Sequence, residues 1–125
     1  MARVIIEKRR HKSLANSFRD AIFGFWLAFC QERNIHIQLF AAVVVIVFSL
    51  LIRIPLTELL IVFLLIGGVI SLELINTSIE RVVDLVTQER HPMAKAAKDT
   101  AAAAVWWFSV IAAVIYAIIV ITTLF

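Results

Sequence analysis

The sequence predicts an all-α integral membrane protein: three transmembrane helices preceded by an amphipathic surface helix. Three observations lead there. Hydrophobic residues make up 62% of the 125 residues and charged residues only 17%, against about 45–50% apolar in a soluble domain. Three long apolar runs divide the chain, and a spanning helix needs roughly 20 such residues. None of the runs alternates with period two, as the strands of a membrane barrel would, and helices pair their own backbone groups in lipid. The three glycines and two prolines are too few for a turn-rich β fold or a glycine-rich phosphate loop. The single cysteine, Cys30, excludes an internal disulfide and a cysteine-built metal site. The length excludes a large multidomain enzyme.

The chain reads as one membrane domain over residues 1–125. Residues 13–31 form the surface helix: Leu14, Phe18, Ala21, Phe25 and Phe29 recur at helical spacing, with Trp26 beside them and Asn16, Ser17, Arg19, Asp20 and Gln31 between. The basic residues 8–12 would face anionic lipid. No clean apolar stretch or small-residue cleavage site follows them, which disfavours a cleaved signal peptide. Cys30 reads as a buried small residue. The first span covers about 35–52, interrupted by His36, Gln38 and Ser49. Pro55 ends it, and Thr57 or Glu58 can start the second span at 57–87. That span must carry Glu73, Asn76 and Glu80 at or inside the membrane boundary. Pro92 suits the first turn of the third span, 93–124. Ala94, Ala97, Ala101 and Ala104 form a small-residue stripe there, and Gly67 with Ser71 a shorter one on the second span.

The cations set the orientation. Seven of the 12 Lys and Arg residues precede the first span, four lie between the second and third, and Arg53 alone occupies the first connection. The positive-inside rule therefore places the N-terminus and the second connection in the cytoplasm, and the C-terminus outside.

Ionisable groups within a spanning helix are costly and mark function. At about 100° per residue, Glu73, Asn76, Glu80 and Asp84 share an arc of about 80°, and Glu73 lies roughly 10 Å deeper than Glu80. Three anions on one face need a cation, a proton or basic partners. A magnesium ion, which asks for only one or two protein carboxylates, is one answer; a structural seam satisfied by Lys and Arg is the other. Lys95 and Lys98, three apart on the third helix, can face phosphate or lipid headgroups. Lys95 alone reads as a surface anchor. His11, His36 and His91 are scattered and form no metal triad.

The run Glu73-Leu-Ile-Asn76-Thr-Ser-Ile-Glu80-Arg-Val-Val-Asp84, followed by Ala94-Lys-Ala-Ala-Lys98-Asp99 and preceded by Glu32-Arg33-Asn34 and Ser17-Phe18-Arg19, resembles the prokaryotic diacylglycerol kinase and undecaprenol kinase family. The resemblance covers residues 14–125; residues 1–12 show no match. It implies a homotrimer in the inner membrane that phosphorylates a lipid alcohol at the cytoplasmic interface with ATP and magnesium. It implies Glu73 as the base acting on the lipid hydroxyl, Asn76 as a positioning group at the reacting centre, and Glu32 and Glu80 as magnesium ligands. Lys98 would contact the ATP phosphates, with Asp84, Asp99, Asp20 and the loop Glu89-Arg90-His91 also toward nucleotide. The Glu32-Arg33-Asn34 and His91-to-Asp99 segments resemble the undecaprenol branch more closely, with diacylglycerol as the alternative substrate. No nucleic-acid partner is expected.

Two rivals come from other classes. A small proton-coupled transporter would use Glu73 as its membrane carboxylate, but Glu80, Asp84, Lys98 and Asp99 beyond the apolar run fit it poorly. A non-catalytic membrane assembly subunit would make the small-residue stripes the main feature.

Overall fold

A computed structural model describes residues 13–125, so the basic residues 8–12, Arg3 and His11 lie outside the described residues. Four helices follow one another: α1 (Leu14–Gln31), α2 (Arg33–Leu51), α3 (Leu56–Val86) and α4 (Pro92–Leu124), with no strand among the described residues. The last three are each long and apolar enough to span a membrane, with mean hydropathy of 2.2 to 2.5, as the sequence predicts. The described residues fall into two compact units, one ending at Gln31 and one spanning Glu32–Phe125.

α1 buries only Ala28. Leu14, Phe18, Phe23 and Trp26 are exposed, and Trp26 stacks on Phe29 with ring centroids 5.6 Å apart. Cys30 is exposed, not buried as its small size suggests, because so little of α1 is covered by the chain.

In the second unit α4 packs chiefly on α3, and α2 leans on α3 more lightly. Gly68 makes the α3–α4 approach close: a Cβ there would collide with the ring of Phe108. Gly67, the glycine of the sequence stripe, faces open space, and Ser71 is exposed. The packing glycine is thus the neighbouring one, on a different side of the helix.

α2 is fixed to α4 by a polar contact inside the apolar region. Ser49, fully buried, lies 2.8 Å from the Tyr116 hydroxyl, and both are within reach of the Val45 carbonyl, at 2.6 and 3.2 Å. The α2–α3 turn closes by bonds from the Arg53 amide to Leu50 and from the Ile54 amide to Ser49. That pairing is the left-handed helix ending usually given to glycine, and Arg53 adopts it with φ 60.

Length explains where the polar residues fall. α3 has 31 residues and α4 has 33, so each runs about 45–50 Å against roughly 30 Å of hydrocarbon. With Leu56 and Leu124 at one boundary, the other falls near Asn76 on α3 and Val105 on α4. Trp106 and Trp107, 65% and 61% exposed, sit at that level, where indole rings favour the water–lipid interface. The α3–α4 hairpin beyond it stands clear of the hydrocarbon and carries Glu80, Asp84, Lys95, Lys98 and Asp99.

A double-mutant cycle of Ser49→Ala and Tyr116→Phe, read by unfolding in mixed micelles, should give a coupling of about 0.6 kcal/mol and at most about 1.7; purely additive losses would remove the bridge. Arg53→Gly should stabilise the fold by about 1 kcal/mol by relieving the left-handed backbone, and a destabilised variant would show that the arginine side chain outweighs the strain.

Candidate active site

The site is built on the face of α3 that emerges from the apolar region. Glu73, Asn76 and Thr77 are buried, Glu80 is half-buried and Asp84 is exposed. The spacing of four between Asn76, Glu80 and Asp84 aligns them along one side of the helix.

Glu73 is the deepest carboxylate, 3% exposed. Both of its oxygens accept amide protons from α2: Nδ2 of Asn34 reaches Oε1 at 3.5 Å and Nε2 of Gln38 reaches Oε2 at 3.1 Å. Asn34 and Gln38 are one helical turn apart, so α2 presents both amides to one carboxylate. Sequence reasoning gave neither residue a role. The available signal was their spacing of four together with Gln38 as an amide in an otherwise apolar run.

One turn on, Nδ2 of Asn76 donates to Oε1 of Glu80 at 3.3 Å. Oδ1 of Asn76, Oγ1 of Thr77 and Oε1 of Gln38 are buried without partners. Such orphaned atoms ask for an explanation: Gln38 bonds Glu73 and Asn76 bonds Glu80 through their amide nitrogens, and both amide oxygens are left without a donor.

The hairpin carries the cationic part. Lys98 bridges from α4 to Asp84 on α3 at 2.5 Å, and Lys95 pairs with Asp99 one turn along α4, also at 2.5 Å. The pairs are substantially exposed, so each is worth little for stability, but together they hold two ammonium groups at one end of the molecule. Asp84, Glu89, Arg90, His91, Lys95, Lys98 and Asp99 all line a cleft of about 630 Å³ around the α3–α4 connection. His91 caps α4, its Nδ1 accepting from the Met93 amide at 3.1 Å, and Pro92 occupies the first turn.

Glu32, in the same unit as this cleft, is not one of its lining residues. Glu32 stands at the N-cap of α2 with no side-chain capping bond. Asp20 is on α1, in the other unit. Among the described residues no three His, Cys, Asp or Glu side chains gather into a metal-binding group. The donor set still fits magnesium, which takes one or two protein carboxylates and fills its shell from phosphate and water. Glu80 is half-buried, and Asn76 engages one of its carboxylate oxygens.

The model of the prokaryotic diacylglycerol kinase family matches residues 19–120. This chain belongs to that family. It is a membrane lipid kinase. The undecaprenol kinase of Bacillus subtilis is 44% identical over 101 residues, covering 78% of this chain and 82% of that protein. A diacylglycerol kinase of Synechocystis sp. is 42% identical over 91 residues, covering 72% of this chain and 52% of that protein. Family membership decides against the transporter and the non-catalytic subunit, and it implies ATP as co-substrate.

Thr77→Val should leave stability unchanged or raise it by about 1 kcal/mol, since it removes a buried hydroxyl without a partner. A thermal unfolding experiment in micelles that shows a comparable loss would mean that the hydroxyl is bonded within the fold.

Proposed function

We propose that this kinase transfers the γ-phosphoryl group of ATP to the hydroxyl of undecaprenol. The observation that carries the reading is the juxtaposition along one helix of a buried carboxylate, Glu73, and a charged cleft one to three turns further out. Phosphoryl transfer asks for positioning and charge neutralisation more than covalent chemistry. Glu73, held by Asn34 and Gln38, takes the proton from the alcohol as its oxygen attacks phosphorus. The bond between the γ-phosphorus and the β–γ bridging oxygen breaks and ADP leaves. Asn76 positions groups at the reacting centre through its contact with Glu80.

Lys98 supplies positive charge to the phosphates, exchanging Asp84 for nucleotide. Asp84, Asp99, Glu89, Arg90 and His91 form the walls that receive the nucleotide. Glu80 and Glu32 would hold magnesium, which when bound offsets the negative charge of the ATP phosphates. Assembly as a homotrimer would let side chains of neighbouring copies complete the site. The chain works as a single domain in the inner membrane, with its N-terminus and the α3–α4 hairpin in the cytoplasm where ATP is available; the excess of Lys and Arg on those segments supports this orientation.

Undecaprenol is supported by the Bacillus relative, 82% of whose length the match covers. Diacylglycerol is the second reading, favoured by the Synechocystis relative. Purified protein given labelled ATP and both alcohols in parallel should label undecaprenol faster. Glu73→Gln should lower kcat by about a hundredfold or more with the assembly intact. Preferential labelling of diacylglycerol would exchange the two substrates, and full turnover by the Glu73 variant would remove its role as base.

A further inference from the structure

A base must be emptied before it can act again. Transfer of a phosphoryl group from ATP to an alcohol releases one proton for every lipid phosphate made, and on the kinase reading that proton lands on Glu73. Glu73 is 3% exposed and lies one helical turn inside the boundary near Asn76. Covered in this way, it cannot hand the proton straight to water and needs a hydrogen-bonded way out.

Two amides touch the carboxylate, and they differ. Nε2 of Gln38 reaches Oε2 at 3.1 Å, and Gln38 is half-buried, with its own Oε1 enclosed. Nδ2 of Asn34 reaches Oε1 at 3.5 Å, at the long end of hydrogen bonding, and Asn34 is exposed. The 19 residues of α2 run about 28 Å, close to the roughly 30 Å of hydrocarbon. Asn34, the second residue of the helix, therefore stands at its edge, and Gln38 about 6 Å further in. One side chain thus meets the deepest carboxylate and the aqueous side together.

We infer that Asn34 is the exit by which Glu73 loses its proton: it holds a water against Oε1, and the proton passes from Oε1 to that water. The inference rests on the kinase reading and gives Asn34 a positioning role beyond support of the carboxylate. Gln38 keeps Oε2 in place, and the longer bond leaves Oε1 as the oxygen that takes the proton. The O–H bond of the alcohol breaks as its oxygen joins phosphorus, and the proton binds Oε1. The Oε1–H bond then breaks toward water, which restores the carboxylate. One proton leaves for each ADP and each lipid phosphate formed. An amide suits the task. It carries no charge to compete with Glu73, and it has both a donor and an acceptor with which to orient water.

The test uses purified full-length protein in mixed micelles with undecaprenol, ATP and magnesium, and compares the first turnover, by rapid quench, with the steady state. Asn34→Leu removes the amide and closes the edge to water. Its steady-state rate should fall about tenfold further than the rate of its first turnover, which reports transfer alone. Added imidazole, a small proton carrier, should restore the steady state of this variant and leave the wild type unchanged. Asn34→Ser keeps a group that binds water and should show little of the gap and no response to imidazole. Equal losses in both phases with no response to imidazole would overturn the inference and leave Asn34 as a support for Glu73 alone; no loss in either phase would overturn it as well. Asn34→Val makes the same comparison with a smaller side chain if the leucine protein loses its oligomeric size. A wild type that phosphorylates no lipid alcohol would bring down the kinase reading and this inference with it, a result distinct from a working enzyme that is indifferent to Asn34.

Discussion

A carboxylate at the edge of a hydrocarbon layer must find hydrogen-bond donors, and the arrangement of α2 follows from that requirement. Leaving a buried charge or amide unpaired costs more than most packing contacts return. Glu73 takes its donors from Asn34 and Gln38, both on α2, so α2 is fixed in rotation as well as position. The second restraint is the Ser49–Tyr116 contact nearer the other end of the helix. α2 is thus stitched to α3 at one level and to α4 at another by polar groups, while its apolar contacts with the rest of the bundle are light. The space left beside a helix held at two points is the groove that runs between them.

The excess length of α3 and α4 matters as much. A hairpin of two minimal spans would end at the membrane boundary. Here each helix continues for about ten residues more, roughly 15 Å, and the extensions carry Asp84, Lys95, Lys98 and Asp99 of the charged cleft, while Glu89, Arg90 and His91 lie in the connection between them. Because the extension is helical and continuous with the spans, Glu73 and Asp84 sit on one rigid rod. Their separation is set by helix rise and not by a flexible loop. The Lys98–Asp84 bridge then ties the extensions of α3 and α4 together above the boundary.

Much of this is legible in the sequence, for identifiable reasons. Helix existence and type follow from run length and composition, and the shared face of Glu73, Asn76, Glu80 and Asp84 follows from periodicity alone, because both depend on one segment at a time. The graded burial along that face, from Glu73 to the exposed Asp84, agrees with it. The Lys95–Asp99 pair is also readable, since residues four apart meet on a helix. What the sequence does not disclose is which residue of one helix meets which residue of another. Gln38 looks like an interruption until α2 is rotated against α3. Gly67 and Gly68 are equivalent until Phe108 chooses one of them. Lys98 adjoins Asp99 in the chain but pairs with Asp84 across the hairpin, because consecutive residues diverge by about 100° around a helix.

The chemistry gains from the same separation of levels. A base that must act on an alcohol anchored by a hydrocarbon tail belongs near the lipid, where the alcohol can reach it without leaving the membrane. Groups that handle a polyphosphate belong in water, since desolvating several charges at once is prohibitive. One straight helix that crosses the boundary meets both demands, with Glu73 on the lipid side and Asp84 on the aqueous side. Asn76 and Glu80 fall between them, hydrogen-bonded to each other, at the level where a phosphoryl group would have to pass from nucleotide to alcohol. A glycine-rich loop would add nothing to the proposed mechanism, because α3 carries both Glu73 and Asp84 and the Lys98–Asp84 bridge ties the proposed phosphate-binding cation of α4 to that helix.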